Sequence, residues 1–303
     1  MAVGPNHGER FKMCAGYSDP AVCAGKRNWA VHEIRHDSMA EDTGGLRDHG
    51  MEPVLVLGLP LMPYTHKQAL DQIEALVVAG RPTFFITANL NYAMLADRDS
   101  RLRELNTQAA FLLADGMPLV WWSRLGRRRL PERVAGSDLI YGLCERAAVR
   151  GFRIYLLGAG PGVADAAAEV LECRFPALQI VGTEVPPFRA LNETERNEQT
   201  ARIRAANPHI LIVAFGQPKG ELWIAENLER LGVPLVVQVG ASLDFVAGRV
   251  RRSPRWMQKT GLEWVYRLVQ EPRRLLRRYA DNIQFLISAI FASRFRRERR
   301  RNR

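Results

Sequence analysis

The chain of 303 residues has only four cysteines, Cys14, Cys23, Cys144 and Cys173, far apart and without metal-ligand spacing. A disulfide framework is therefore not expected, and a reducing compartment fits this usage. No cluster of ligand side chains calls for a metal, so metal dependence is not predicted. No run of about 18 apolar residues occurs, which argues against a transmembrane helix. An apolar signal core is also missing near the start, where Asn6, His7, Glu9, Arg10 and Lys12 interrupt it. Membrane contact, if the chain makes any, is expected to be peripheral. No internal repeat is found.

A hydrophobic content of 47% and a charged content of 25% are ordinary for a globular protein. The net charge of +11 is not, and it is unevenly placed. Residues 251–303 hold sixteen Lys and Arg against four Asp and Glu, whereas residues 1–250 hold 27 against 28. A neutral body with a basic tail points to a polyanionic partner: anionic lipid, nucleic acid or a phosphorylated substrate. Apolar residues interleave with the arginines, which favours a membrane-surface segment over a merely solvated end.

Three regions follow. Residues 1–50 are polar and aperiodic and are expected to form a disordered leader. Residues 51–250 read as an α/β catalytic domain. Short apolar strands at 54–58, 83–87, 109–113, 153–157, 179–182, 210–214 and 234–239 alternate with helices at 65–80, 137–150, 162–173, 194–206 and 219–231. Nearly continuous apolar strands between helices predict a Rossmann-like, mostly parallel sheet covered on both faces. Residues 251–303 read as a basic helical, membrane-associated appendage. Pro272 separates a helix over 262–270 from one over 273–293. Leu275, Leu276, Tyr279, Ile283, Leu286 and Ile290 form a stripe at helical spacing, edged by Arg273, Arg274, Arg277 and Arg278. The stripe is expected on an anionic bilayer, with an oligomer interface as the alternative.

In such sheets ligands bind beyond the carboxyl ends of the strands, so the polar residues there are the candidates. Thr87, Asn89 and Asn91 follow one strand and suit either substrate hydroxyls or a helix cap. Asp115 follows another in Ala114-Asp115-Gly116-Met117-Pro118, and Pro118 suits a helix start. A rigid, partly buried carboxylate there suits a general base; a turn residue is the alternative. Gly158, Gly160 and Gly162 form a glycine-rich strand–helix turn where backbone N–H groups can approach phosphate. Gln217, Lys219 and Glu221 lie in Gly216-Gln217-Pro218-Lys219-Gly220-Glu221. Lys219 opposes the dipole of the helix it opens, which suggests an anion contact. Arg133 and Asp138 flank a turn, with Ser137 as the expected cap. Asp244 follows the last strand, and Arg252 and Arg255 open the tail.

Together these segments resemble the WecG/TagA/CpsF glycosyltransferase family from about Pro53 to Arg278. The shared order comprises T-x-N (Thr87, Asn89), A-D-G-x-P (Asp115), R-V-x-G-x-D (Arg133, Gly136, Asp138) and G-x-G-P-G (Gly158 to Gly162). It continues with G-x-P-K-x-E (Gly216 to Glu221), G-x-x-x-D-F-x-x-G (Gly240 to Gly248), R-x-P-x-W-M (Arg252 to Met257), E-W-x-x-R-L and E-P-x-R (Glu263 to Arg274). The chain departs from the usual pattern at Gly220, where Gln is common, and at Val185-Pro186-Pro187-Phe188, where G-Y-F is common.

The resemblance implies an inverting, N-acetylmannosaminyltransferase-like enzyme with a UDP-sugar donor, N-acetylmannosamine or a related hexose. It implies a sugar acceptor on undecaprenyl diphosphate, a place in teichoic acid or polysaccharide synthesis, and work at the cytoplasmic membrane face. UDP-sugar is then a substrate, and no cofactor is expected. Asp115 becomes the base, with Thr87 and Asn89 beside it. Two rival readings are a nicotinamide-dependent oxidoreductase and a nucleic-acid-binding protein. The first expects G-x-G-x-x-G in the first fold unit, but the glycine turn here lies mid-chain. The second would explain the tail, yet no nucleic-acid-binding motif is present, so nucleic acid is not an expected partner.

Overall fold

A computed structural model describes residues 51–301, together with the side chains of that range except those of Arg255, Lys259, Arg274 and residues 293–301. The expected leader over 1–50 lies outside the described residues.

One eight-stranded sheet organises the chain, in the order β1-β2-β4-β3-β8-β7-β5-β6. The strands are β1 (Val54–Val56), β2 (Leu59–Leu61), β3 (Thr83–Ala88), β4 (Leu112–Ala114), β5 (Arg153–Gly158), β6 (Gln179–Glu184), β7 (Ile210–Ala214) and β8 (Leu235–Gln238). All neighbours pair in parallel except β1 with β2. The sequence suggests one strand over 54–58, but a hairpin forms instead. Leu57 and Gly58 both take positive φ, 49° and 83°, and two left-handed residues make the tight turn that reverses a strand.

Alternating strand residues divide the core between two faces. Phe85, Leu113, Ile154, Leu156, Ile212 and Val237 face one side; Phe84, Ile86, Leu112, Leu157, Val213 and Val236 face the other. The first side is covered by α1 (His66–Ala79), α5 (Gly136–Arg150), α6 (Val163–Arg174) and α9 (Ser242–Val246). The second is covered by α2 (Leu90–Arg98), α3 (Ser100–Gln108), α4 (Met117–Ser123), α7 (Glu193–Ala206) and α8 (Lys219–Leu231). Helix α1 shows the local logic. Thr65 and Gln68 close a capping box, Ala69, Leu70, Ile73, Leu76 and Val77 are buried, and Gly80 ends the helix at φ 69°.

Helices α2 and α3 fill the stretch between β3 and β4, which the sequence reading leaves without structure. Asn89 and Asp99 cap them. Ser137, expected as a cap, lies inside α5, whose N-cap is Ala135 without a side-chain bond. The Gly136 N–H instead donates to the Asp115 carboxylate, so the helix start is satisfied from another strand.

The tail forms α10 (Arg255–Thr260), α11 (Glu263–Gln270) and α12 (Pro272–Arg301), an arm that returns over the carboxyl ends of the strands. Part of the expected bilayer stripe faces the protein. Leu275 is 1% exposed, and Tyr279, Ile283, Leu286 and Ile290 line the cleft described below. Ile283 and Ile290 stay partly open at its mouth, and the large apolar side chains left most open on α12 are Leu276, Phe291, Ile283 and Ile287.

Candidate active site

A cleft of about 1620 Å³ opens at the carboxyl ends of the strands, between the core and the arm. Thr87, Asn89, Asn91, Asp115, Arg133, Gly158, Gly160, Gln217, Lys219 and Asp244 all lie on its wall. Four other expected residues, Asp138, Gly162, Glu221 and Arg252, do not. Gly162 caps α6 in the left-handed region instead. The side chain of Arg255 lies outside the described residues.

Asp115 sits where β4 ends. Its own N–H donates to Ala88 O at 2.7 Å, which fixes it against β3. Burial pushes its carboxyl up to about 6, against the opposing pull of Arg133 and the Gly136 N–H; Glu263 and Asp138 add to the rise. A carboxyl of this kind is ionised at neutral pH yet more basic than a free aspartate. Thr87 is packed beside it. A Cβ at Gly136 would lie 3.4 Å from Thr87 Oγ1 and 3.8 Å from Asp115 Oδ2, so glycine at 136 lets the helix start close on both groups. Asn89 has a structural task as well, since its Oδ1 accepts the Tyr92 N–H at 3.1 Å.

A charged cluster stands behind Asp115. Arg133 donates to Glu263 Oε2 at 2.8 Å and to Asp138 Oδ2 at 3.3 Å. Arg252 reaches Asp138 Oδ1 at 2.7 Å and Glu263 Oε1 at 3.7 Å. Asp138 and Arg133 belong to the core, Arg252 and Glu263 to the arm. The expected contacts of Arg252 and Asp138 are therefore with each other, because two acids and two bases of opposite origin meet there. Arg267 of α11 also stacks over Phe245 of α9 at 5.5 Å.

On the far side of the cleft, Gly158 has φ 103°, and a Cβ there would lie 2.8 Å from the Phe215 ring. Glycine thus allows the β5 turn to approach the β7 turn. Lys219 is exposed at the start of α8, 5.8 Å from the Phe215 ring centre. Glu221, two residues further, is buried. Burial pushes its carboxyl up to about 7, opposed by Gln217 and Arg278.

Sequence reasoning missed several wall residues: Gln238, Trp264, Tyr279 and Asn282. Gln238 offered only a weak signal, one polar residue ending the apolar strand Leu-Val-Val-Gln. The arm residues carried none, because only the chain's return over the sheet brings them there.

Fold and cleft together place the protein among open α/β enzymes whose ligands bind in the crevice at the carboxyl ends of the strands. Residues 54–300 match the profile of the Glycosyl transferase WecG/TagA/CpsF family. The chain belongs to that family and is a glycosyltransferase. It is also similar to the N-acetylglucosaminyldiphosphoundecaprenol N-acetyl-beta-D-mannosaminyltransferase of Bacillus subtilis (strain 168). The two are 30% identical over 211 residues, 70% of this chain and 78% of the relative. The oxidoreductase reading falls with this assignment.

Proposed function

We propose that the enzyme transfers N-acetylmannosamine or a related hexose from its UDP conjugate to a sugar carried on undecaprenyl diphosphate, with inversion. Asp115 takes the proton of the acceptor hydroxyl. The hydroxyl oxygen bonds to the anomeric carbon as the bond from that carbon to the phosphate oxygen breaks. UDP leaves with the electron pair, and one displacement inverts the centre. Negative charge grows on the departing diphosphate, so it needs positive charge or N–H donors. Lys219 and the Gly158–Gly160 turn supply them. Thr87 and Asn89 orient the reactants beside the base, while Asn91, Gln217 and Asp244 add polar contacts along the wall.

The observation that carries this reading is the Asp115 carboxyl, fixed at the rim and raised to about 6 by burial. Purified Asp115→Asn, tested with UDP-N-acetylmannosamine and a prenyl-diphosphate-linked N-acetylglucosamine, should lose turnover while still binding UDP. Wild-type turnover in that variant rules out Asp115 as the base.

The site of work on this reading is the inner face of a bacterial plasma membrane, in cell-surface polysaccharide or teichoic acid synthesis. No described helix is long and apolar enough to cross a membrane. Val269 and Leu276 are exposed on the arm next to the exposed Arg273 and Arg277, and Ile287 and Phe291 are exposed further along α12. Apolar side chains beside arginines suit an anionic surface, where each basic residue adds about 1 kcal/mol.

A further inference from the structure

Gln238 ends β8 inside the cleft wall and is 4% exposed. Neither its Nε2 nor its Oε1 has a hydrogen-bond partner in the protein. Buried amide groups are almost always paired, so a buried amide on a cleft wall with neither end paired points to a ligand contact. The side chain is also held in place. A Cβ at Gly220 would lie 2.5 Å from Gln238 Cδ, so glycine at 220 makes the room that the carboxamide fills. Asn282 of α12 faces the same cleft, is 6% exposed, and its Oδ1 likewise has no partner.

The strand order says which part of a substrate reaches Gln238. Across the rim run β4 with Asp115, β3 with Thr87, β8 with Gln238, β7 leading to Lys219, and β5 with the glycine turn. Adjacent strands are about 4.8 Å apart. Gln238 is therefore about 10 Å along the sheet from the strand carrying the base, and about 10 Å from the strand carrying the glycine turn. With the acceptor hydroxyl at Asp115 and the diphosphate at β7 and β5, the sugar between them lies over β3 and β8. A carboxamide offers two N–H donors and a carbonyl acceptor. An acetamido group presents the complement, one N–H and one carbonyl.

We infer that Gln238, seated against Gly220, reads the acetamido group of the transferred sugar, with Asn282 closing over it from the arm. The inference rests on the UDP-sugar reading above and deepens it by assigning the residues that would discriminate an N-acetylated donor from a plain hexose.

The test uses the full-length enzyme and two variants, Gln238→Leu and Gly220→Ala. The first removes the amide at similar volume; the second displaces it without removing it. UDP binding by calorimetry, and kcat/KM with UDP-N-acetylmannosamine and UDP-mannose, are measured for all three. In both variants kcat/KM for the N-acetylated donor should fall roughly 10- to 100-fold. UDP affinity and acceptor KM should stay within about 3-fold of wild type, and the preference for the N-acetylated donor should shrink. Retained UDP binding also shows that each variant is folded. A parallel loss of UDP affinity would mean that Gln238 contacts the nucleotide and would overturn the inference. So would a change confined to acceptor KM, or an unchanged donor preference. If the wild-type enzyme turns over neither UDP-sugar, the donor reading itself fails, and this inference with it.

Discussion

The two walls of the cleft are held by different forces. The core wall consists of strand ends anchored in a sheet whose side chains are almost wholly buried on both faces. Such positions are fixed by packing and shift little. The arm wall is different. Helix α11 buries none of its residues, and the arm is attached by the Arg133–Asp138–Arg252–Glu263 cluster, the Arg267–Phe245 contact and a few apolar contacts such as that of Leu275. The charge-assisted hydrogen bonds of Arg133 contribute on the order of 2 kcal/mol each; the Arg252 ion pairs add less, and all weaken with salt where exposed. On the proposed reading the chemistry sits on the packed wall, and the arm that would meet the lipid-linked acceptor is the more loosely held wall.

That contrast is broken most directly at Asp115. Asp115→Asn should lower turnover about 10²- to 10⁴-fold, and salt should not restore it, because the group lies on the packed wall. A loss much smaller than that would move the base to another residue.

The arm offers a second, smaller effect. Gly261 takes φ 75°, and a Cβ there would lie 2.8 Å from both Met117 Cβ and the Trp121 ring of α4. Gly261→Ala therefore strains the backbone and pushes the arm off the core at once. Turnover on a lipid-linked acceptor should drop roughly 10-fold or more, with UDP binding little changed. Equal losses of UDP affinity and turnover would show that the arm also builds the donor site. Truncation after Gly248 should, in addition, abolish sedimentation with anionic vesicles.

The same contrast explains what could be read in advance. Apolar runs such as Ile210–Ala214 and the cap signals at Thr65 and Gly80 name their elements from local chemistry alone. Asp115, Thr87 and the Gly158 turn could be placed on the cleft wall because an open parallel sheet has its crevice at the strand ends. What stayed hidden depends on contacts distant in sequence. Glu263 meets Arg133 across 130 residues, and nothing in Glu263-Trp264 announces that partner. The stripe on α12 was visible as a period, but periodicity cannot say whether a helix turns that face to lipid or to its own core. Gln238 was missed for a simpler reason: one polar residue after three apolar ones looks like an ordinary strand end until Gly220 is seen beneath it.

Two milder predictions sharpen the electrostatic side of the comparison. Arg133 holds the Asp115 carboxyl down against burial. Arg133→Met should therefore move the acid limb of the kcat/KM profile upward by about one pH unit, besides loosening the arm. An unmoved limb would separate the cluster from the base and leave Arg133 a purely mechanical tie.

The last effect is one of stability, not of turnover, and its sign is set by the raised carboxyl. In the unfolded chain Asp115 ionises near its ordinary 3.8; in the folded protein it ionises at about 6. Well below 3.8 both states are protonated, and the group's contribution is fully present. As pH rises through 6 the unfolded state has already lost its proton, so the folded state is penalised by on the order of 3 kcal/mol. Asn cannot ionise, so Asp115→Asn should gain stability over wild type as pH rises from 4 to 7, by up to about that amount. Denaturant unfolding at the two pH values measures the difference. Glu221, pushed up to about 7, predicts the same gain for Glu221→Gln over a window reaching slightly higher. A stability difference that stays flat with pH would mean that the Asp115 carboxyl is less desolvated than its position implies, and the base would then owe its placement to geometry alone.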